Sequence, residues 1–222
     1  MRQQPRTATR LARPAPLRLA LTLGAFLLQA APWAASPASA DDRPDKTSAP
    51  WEWVTRKDGV KVWKHQAPGR ELPAFRGKTV IDASIAQILQ AMLKTEDHPK
   101  WMYRCKESEI LAQISEKKAI VYNRTDSPWP VWDRDVVLNT TYSFDESRTR
   151  VRLDFREAKF PGKPEVEGVV RMPQLQGFYK MHEFEPGKTR VIYQVDADIG
   201  GSIPKWLIAV ATQDLPVITL SK

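Results

Sequence analysis

The sequence has little of what a disulfide scaffold, a metal site or a common hydrolase needs. Its 222 residues include one cysteine, Cys105, and three histidines, His65, His98 and His182. A single cysteine excludes an intramolecular disulfide and any zinc site built from several cysteines. The histidines are isolated, and neither an HExxH pattern nor a Gly-x-Ser-x-Gly elbow is present. We therefore expect no metal, no cofactor and a buried, structural Cys105.

The positive charge of the chain is concentrated near its N-terminus. Lysine and arginine number 34 against 26 acidic residues, which gives a formal net charge of +8. Five arginines and no acidic residue fall within residues 1–40. Without them, residues 41–222 hold 29 basic against 26 acidic side chains, a formal charge of +3. A balance so close to neutral does not indicate a polyanion partner, and we expect no nucleic-acid binding.

Residues 1–40 have the three parts of a secretion signal peptide. An arginine-bearing stretch precedes a 13-residue apolar run at 19–31, and small residues then lead to Ala38-Ser39-Ala40. This A-x-A pattern is one that signal peptidase accepts. The run is shorter than the about 20 apolar residues that cross a bilayer. We predict export, cleavage near Ala40 and a periplasmic or extracellular mature protein, with an uncleaved anchor as the alternative.

The residues after the signal begin with strand patterns. Residues 41–50 are polar and contain proline, which indicates a short disordered lead-in. Two strand-like runs then flank Lys57-Asp58-Gly59, and Asp-Gly in that position predicts a tight hairpin. Residues 72–81 indicate a third strand.

The rest of the chain combines two helices with a long β region. Ser84 precedes apolar residues at helical spacing that end near Lys94. From Glu107 onward, six or seven runs have strand character, and residues 203–220 carry an apolar helical stripe. One α+β domain at 51–222 explains this order, with a curved antiparallel sheet wrapped around a long C-terminal helix.

Four stretches of the mature chain resemble the START domain family, the lipid-transfer domains related to steroidogenic acute regulatory protein. They are WVTRKDGVKV at 53–62, WPVWDRDV at 129–136, VVRM at 169–172 and DIGGSIPKWL at 198–207. The second and fourth motifs together are quite specific. The resemblance implies the helix-grip fold, whose C-terminal helix closes a tunnel against the sheet. It also implies a carrier or sensor of one hydrophobic molecule, commonly a sterol, phospholipid or sphingolipid.

Arg134 is the most informative residue of these motifs. Strand alternation puts its side chain on one face with Val136 and Leu138, while Asp135 points the other way. A guanidinium among apolar neighbours needs a carboxylate or a ligand anion. The resemblance implies a ligand anion, because the arginine of this motif meets the head group in phospholipid-binding members. The candidate carboxylates are Asp154, Asp196 and Asp198.

The resemblance points to further candidate ligand-binding residues. Trp129 and Trp132 flank prolines where the family has a mobile loop near the cavity mouth. Gln174 falls where some phospholipid-binding members place a polar cavity group, with a solvated loop as the alternative. Plain core packing is the alternative for the candidate cavity walls. These are Tyr122, Met172, Tyr193, Trp206 and Val210.

We expect a monomeric, non-enzymatic carrier or sensor of a lipid or sterol-like molecule that contacts membranes transiently. One alternative is a cavity enzyme like the related cyclases and aromatases, in which His182 could face the cavity. Another is a docking module whose arginine-rich strand at 148–156 meets an anionic membrane or an acidic protein. In the family the last helix usually runs a turn or more beyond the position of Lys222, so we expect a more open tunnel here.

Overall fold

The computed structural model describes residues 50–201 and 214–222. The predicted signal peptide, most of the lead-in and the candidates Trp206 and Val210 lie outside these residues. The first elements are β1 (Glu52–Lys57), β2 (Val60–His65), β3 (Ala74–Ile81), α1 (Ile85–Leu93), a 3₁₀ turn (Thr95–Asp97) and α2 (His98–Trp101). Seven strands follow: β4 (Cys105–Ser115), β5 (Lys118–Thr125), β6 (Asp133–Phe144), β7 (Arg150–Glu157), β8 (Val169–Arg171), β9 (Gln174–Glu185) and β10 (Lys188–Asp198). Helix α3 occupies 214–221.

The ten strands form one sheet, in which nine follow the order β1-β2-β3-β10-β9-β7-β6-β5-β4 with antiparallel neighbours and β8 pairs with β6 off this path. The predicted α+β fold with its curved antiparallel sheet and C-terminal helix is confirmed. Strand β8 departs from the predicted pattern because it pairs in parallel with β6. Strand β7 ends opposite Leu138, which leaves the first residues of β6 without a neighbour on that side, and β8 pairs there.

Local sequence signals explain the predicted turns and the first helix. Asp58 and Gly59 have φ values of 51° and 78°, the positive angles that a tight β-hairpin turn requires. Ser84 caps α1: its hydroxyl accepts a hydrogen bond from the backbone of Gln87, whose side chain accepts one from the backbone of Ser84. Both predictions are confirmed, as is the burial of Cys105.

The two faces of the sheet have different surroundings. The inner face carries the apolar core, against which α1 packs through Ile85 and Leu89 and α3 through Val217 and Leu220. The outer face carries most of the charged side chains of the central strands. No helix within residues 50–201 and 214–222 has the length and apolar character needed to span a bilayer.

Gly77 on β3 allows α3 to approach the inner face closely. A Cβ atom at this position would lie 2.7 Å from Leu220 Cδ1 and 3.1 Å from Pro216 Cβ. Both distances are shorter than ordinary contacts between carbon atoms, so only glycine fits without movement of the Leu220 side chain or of the helix. The absent side chain therefore sets how tightly α3 closes on the sheet.

We predict that Gly77→Ala lowers the free energy of unfolding by about 1–3 kcal/mol, because the added methyl group overpacks this contact. Urea unfolding followed by circular dichroism would measure the change. Leu220→Ala alone should also destabilise the protein, since it leaves a cavity. The double variant should lose less stability than the sum of the losses in the two single variants, because the removed leucine makes room for the methyl group. Simple additivity would contradict this contact.

Candidate functional site

An apolar cavity lies between the inner face and the helices, in two compartments. The first measures about 400 Å³ and the second about 190 Å³. Four residues line both compartments, which makes them neighbouring parts of one site: Met102, Asn123, Leu175 and Tyr193. Aromatic and aliphatic side chains make up most of the walls, as expected for a site that binds a hydrophobic molecule.

Two stacked tyrosines form a rigid wall of the first compartment. The rings of Tyr179 and Tyr193 lie 4.5 Å apart at an interplanar angle of 16°. Burial raises the pKa of both phenols, so both are neutral at physiological pH. Tyr193 is therefore placed where the sequence predicted a cavity wall, and Met172, another predicted wall residue, lines the second compartment.

A buried histidine lines the first compartment beside the residues shared with the second. His98 Nε2 lies 2.8 Å from the carbonyl oxygen of Met92, and Nδ1 lies 2.9 Å from Ser108 Oγ. Ser108 Oγ is also 2.7 Å from Asn123 Oδ1. Because a carbonyl oxygen only accepts, Nε2 carries the proton and Nδ1 is an acceptor. The single hydroxyl proton of Ser108 is donated either to Nδ1 or to Asn123 Oδ1. Burial lowers the pKa of His98 and keeps the ring neutral.

Arg134 lies at the second compartment and is 4% exposed. Its Nη1 donates to the carbonyl oxygen of Trp132 at 2.6 Å, and its Nη2 donates to that of Gly200 at 3.3 Å. Its Nε is buried and has no hydrogen-bond partner among the described residues. Gly200 and Gly201 adopt positive φ angles of 62° and 67°, which bring the chain back beside the guanidinium.

No carboxylate of the described residues pairs with Arg134. Asp154 is bound by Arg152, Asp196 is bound by Arg70, and Asp198 accepts from the backbone of Gly200. The three predicted carboxylate partners are thus all engaged elsewhere. Burial lowers the pKa of Arg134, and no acid counteracts the effect. The guanidinium is a charged group held at an apolar cavity by carbonyl oxygens alone.

The aspartate of the same motif serves a structural role on the outer face. Asp135 is 1% exposed and accepts from Arg171 Nε at 2.7 Å and Nη2 at 3.1 Å, which ties β8 to β6. Tyr122 lies on this side of the sheet as well, beneath Lys163. Because Val121 and Asn123 line the cavity, alternation turns Tyr122 away from it. Tyr122 therefore does not form the cavity wall that the sequence predicted.

Three of the predicted ligand-binding residues do not line the cavity: Gln174, Trp129 and Trp132. Gln174 is in strand β9 on the outer face, where its side chain accepts from Arg70 at 2.6 Å; it is neither a cavity group nor a loop residue. Trp129 and Trp132 are 90% and 62% exposed in the loop before β6. Ser127 and Pro128 of the same loop line the second compartment. The two tryptophans thus stand at an edge of the cavity.

Sequence reasoning missed the contacts made by His98. The ring bridges the end of α1 and strand β4, and no spacing rule links a histidine to a serine ten residues later on another element. Its neighbours Pro99 and Lys100 are exposed, so the pattern of the short helix α2 does not predict that His98 is buried. The network therefore depends on how α2 packs on β4.

A curved antiparallel sheet, closed by a C-terminal helix over an apolar cavity, defines a helix-grip protein. The chain belongs to the START domain family, whose model matches residues 42–214. An uncharacterised protein of Pseudomonas aeruginosa is 36% identical over 170 residues, which cover 77% of this chain and 83% of that protein.

Relatives with known structures or roles agree with this membership. The crystal structure of a STAR-related lipid transfer protein from Xanthomonas axonopodis has a TM-score of 0.68 and 27% identity, over 77% of this chain and 94% of that one. The phosphatidylcholine transfer protein of the mouse is 22% identical and covers 75% of this chain and 78% of its own. START relatives of this chain thus include lipid transfer proteins.

We predict that His98 makes the stability of the protein depend on pH. The unfolded histidine has a pKa of about 6.5, and burial lowers the folded value. The unfolded state therefore takes up a proton first, so stability is unaffected by this group above about pH 6.5 and decreases as the pH falls below it. Urea titrations from pH 8 to pH 5 would measure this loss.

The variant His98→Gln isolates this contribution. It should be less stable at pH 8, because it breaks a buried hydrogen-bond network, but it should lose less stability on acidification. An equal loss in both proteins would assign the pH dependence to other groups.

Proposed function

We propose that this protein carries one lipid or sterol-like molecule in the inner cavity and receives an anionic group of that molecule on Arg134. One observation carries the proposal: the guanidinium is buried at an apolar cavity, has an unpartnered Nε and has no carboxylate partner among the described residues. A buried charge without a counter-charge destabilises a protein unless a ligand supplies one. An arginine also offers the forked donors that phosphate and carboxylate groups bind.

The walls of the cavity support a hydrophobic cargo. Each Å² of apolar surface that a ligand removes from water contributes about 25 cal/mol, so a hydrocarbon chain lying against these side chains is retained strongly. The stacked pair Tyr179 and Tyr193 gives the chain a rigid surface. An anionic group at Arg134 would fix which end of the molecule enters the second compartment.

The polar groups of the cavity favour a carrier over an enzyme. His98 is the histidine that lines the cavity among the described residues; its Nε2 proton is held by the Met92 carbonyl oxygen, and its Nδ1 faces Ser108. His182, the other candidate for cavity chemistry, lies on the outer face opposite Arg150 and Arg190. A general acid or base needs a nitrogen within reach of the substrate. The relatives of this chain include lipid transfer proteins, which agrees with this choice.

We propose in addition that the carrier acts as a monomer after export. A signal of the predicted kind would be removed near Ala40. A soluble carrier in the periplasm or outside the cell would shield its cargo from water between membranes. The intact mass of the purified protein reports the cleavage site and the bound cargo in one experiment.

We predict that Arg134→Met separates ligand binding from folding. Native mass spectrometry of the exported protein should show one hydrophobic adduct, and the variant should lose it or bind it about tenfold more weakly or worse. The stability of the ligand-free variant should be unchanged or higher, because a buried, uncompensated charge is replaced by an apolar side chain of similar length. Arg190→Met, an exposed arginine on the outer face, is the control and should keep the adduct.

Two results would contradict the assignment. A protein that stays ligand-free after incubation with mixed lipids would exclude lipid carriage. An adduct that Arg134→Met retains at full affinity, with a marked loss of stability, would make the arginine a structural residue.

We predict that the loop carrying Trp129 and Trp132 contacts the membrane during transfer. Tryptophan prefers the interface between lipid and water, and these two indole rings are exposed at an edge of the cavity. Trp129→Ala with Trp132→Ala should slow lipid transfer between vesicles, while the affinity for the bound lipid stays the same. Trp53→Ala on β1, a site that is 54% exposed and lies on another element, is the matched control. Equal slowing in both variants would refute the role of the loop.

A further inference from the structure

The apolar cavity with its two compartments, proposed above to hold a lipid, is called the lipid cavity below. A second cavity, called the outer groove, lies on the opposite face of the sheet. It measures about 590 Å³, more than either inner compartment. Its floor consists of two rows of side chains that cross the sheet from β6 through β7 and β9 to β10. One row is Asn139, Arg156, Gln176 and Asp196, and the next is Thr141, Asp154, Phe178 and Gln194.

The wall of the outer groove is built from the segment around β2. Trp51 packs against His65 with ring centroids 5.4 Å apart, and the guanidinium of Arg76 lies 4.0 Å from the centre of the Trp51 ring. Arg70 holds this wall against the floor by donating to Asp196 at 2.6 Å and to Gln174 at 2.6 Å. The groove is thus a built concavity with fixed walls rather than a flat strand surface.

Of the three arginines that line the outer groove, Arg156 is the one without an acidic partner among the described residues. Asp196 is engaged by Arg70 and Gln176, and Asp154 is engaged by Arg152 at 2.8 Å. Arg156 has no ion pair or hydrogen bond with another described residue, and the amide side chains of Asn139 and Gln176 are its neighbours in the row. Because both acids of the groove are neutralised, the exposed side chain of Arg156 leaves the outer groove with a net positive charge.

The unpaired polar atoms of the described residues mark the same place. Four buried side-chain nitrogen or oxygen atoms lack a hydrogen-bond partner. Trp101 Nε1 and Arg134 Nε belong to residues that line the lipid cavity, while His65 Nδ1 and Asn139 Oδ1 belong to residues that line the outer groove. Buried polar groups are normally hydrogen-bonded, so these atoms need a partner that the described protein groups do not supply.

We propose that the outer groove is a second ligand site, which binds the phosphate group of a small phosphorylated polyol through Arg156. The guanidinium fork suits two phosphate oxygens, and the unpartnered Oδ1 of Asn139 suits a hydroxyl group. The phosphorylated polyol is either a free molecule or the head group of a lipid at a membrane surface. The outer groove and the lipid cavity share Leu72, Thr141 and Phe155 in their linings, but Arg156 and Asn139 line the groove alone. This inference therefore does not depend on the proposed lipid carriage.

The test measures the binding of sn-glycerol 3-phosphate to the purified protein by calorimetry, with glycerol as the neutral control. Glycerol 3-phosphate should bind and glycerol should not. Arg156→Ala should weaken binding about tenfold or more, and Arg156→Lys should restore part of it, since lysine keeps the charge but loses the fork. The side-chain amide of Asn139 should shift in NMR spectra on titration, which locates the phosphate in the outer groove.

Two further variants control for charge and for location. Arg150→Ala removes another exposed arginine from the same strand and should leave binding unchanged. Arg134→Met should also leave it unchanged, because that guanidinium belongs to the lipid cavity. Loss of binding in Arg150→Ala equal to that in Arg156→Ala would overturn the proposal in favour of nonspecific charge attraction. Loss in Arg134→Met alone would place the phosphate in the lipid cavity and overturn it as well.

Vesicles distinguish the two sources of the phosphate. If the ligand is a head group, the protein should bind vesicles of phosphatidylglycerol in phosphatidylcholine, and Arg156→Ala but not Arg150→Ala should weaken that binding. If the ligand is a free molecule, glycerol 3-phosphate should bind and Arg156→Ala should leave vesicle binding unaltered. Absence of Arg156-dependent binding in both arms would refute the site.

Discussion

The apolar cavity and the outer groove both depend on the alternation of side chains along the strands of one curved sheet. A strand that sends one residue to the inner face must send the next to the outer face. Strand β6 shows the consequence: Arg134 reaches the lipid cavity, while Asp135 binds Arg171 on the other side. The single sheet can therefore carry an apolar cavity and a polar groove back to back without a second layer of strands.

Alternation gives the sheet an apolar inner face, but a cavity exists only where the described helices do not fill that face. Gly77 lets α3 approach β3 at Leu220, whereas Tyr193 and Leu175 border open space. A fully packed core would be more stable, since voids lose contacts between neighbouring atoms. The unpaired nitrogen of Arg134 adds to this cost. A bound molecule that fills the space and supplies an anion would offset both losses.

The sequence predicted the fold better than it predicted the site. The Asp58-Gly59 turn, the Ser84 cap and the face on which Arg134 lies all follow from local chemistry and from period-two alternation. Alternation did not predict the face on which Tyr122 lies. Strand β5 is buried on both faces at Val121 and Tyr122, so its apolar pattern does not indicate which side meets the cavity. Gln174 had no local signal that could distinguish the outer face of β9 from the cavity or a loop.

The sequence by itself determined the kind of domain, the order of its strands and helices, and the charged residue among apolar neighbours. These properties follow from interactions between residues close along the chain. Only the tertiary structure decided which acids are already engaged, and so left Arg134 and Arg156 without carboxylate partners among the described residues. Arg70 and Asp196 are 126 residues apart, and they meet because β10 and the segment before β3 lie side by side in the sheet. Such pairings follow from strand order and register, which no local pattern encodes.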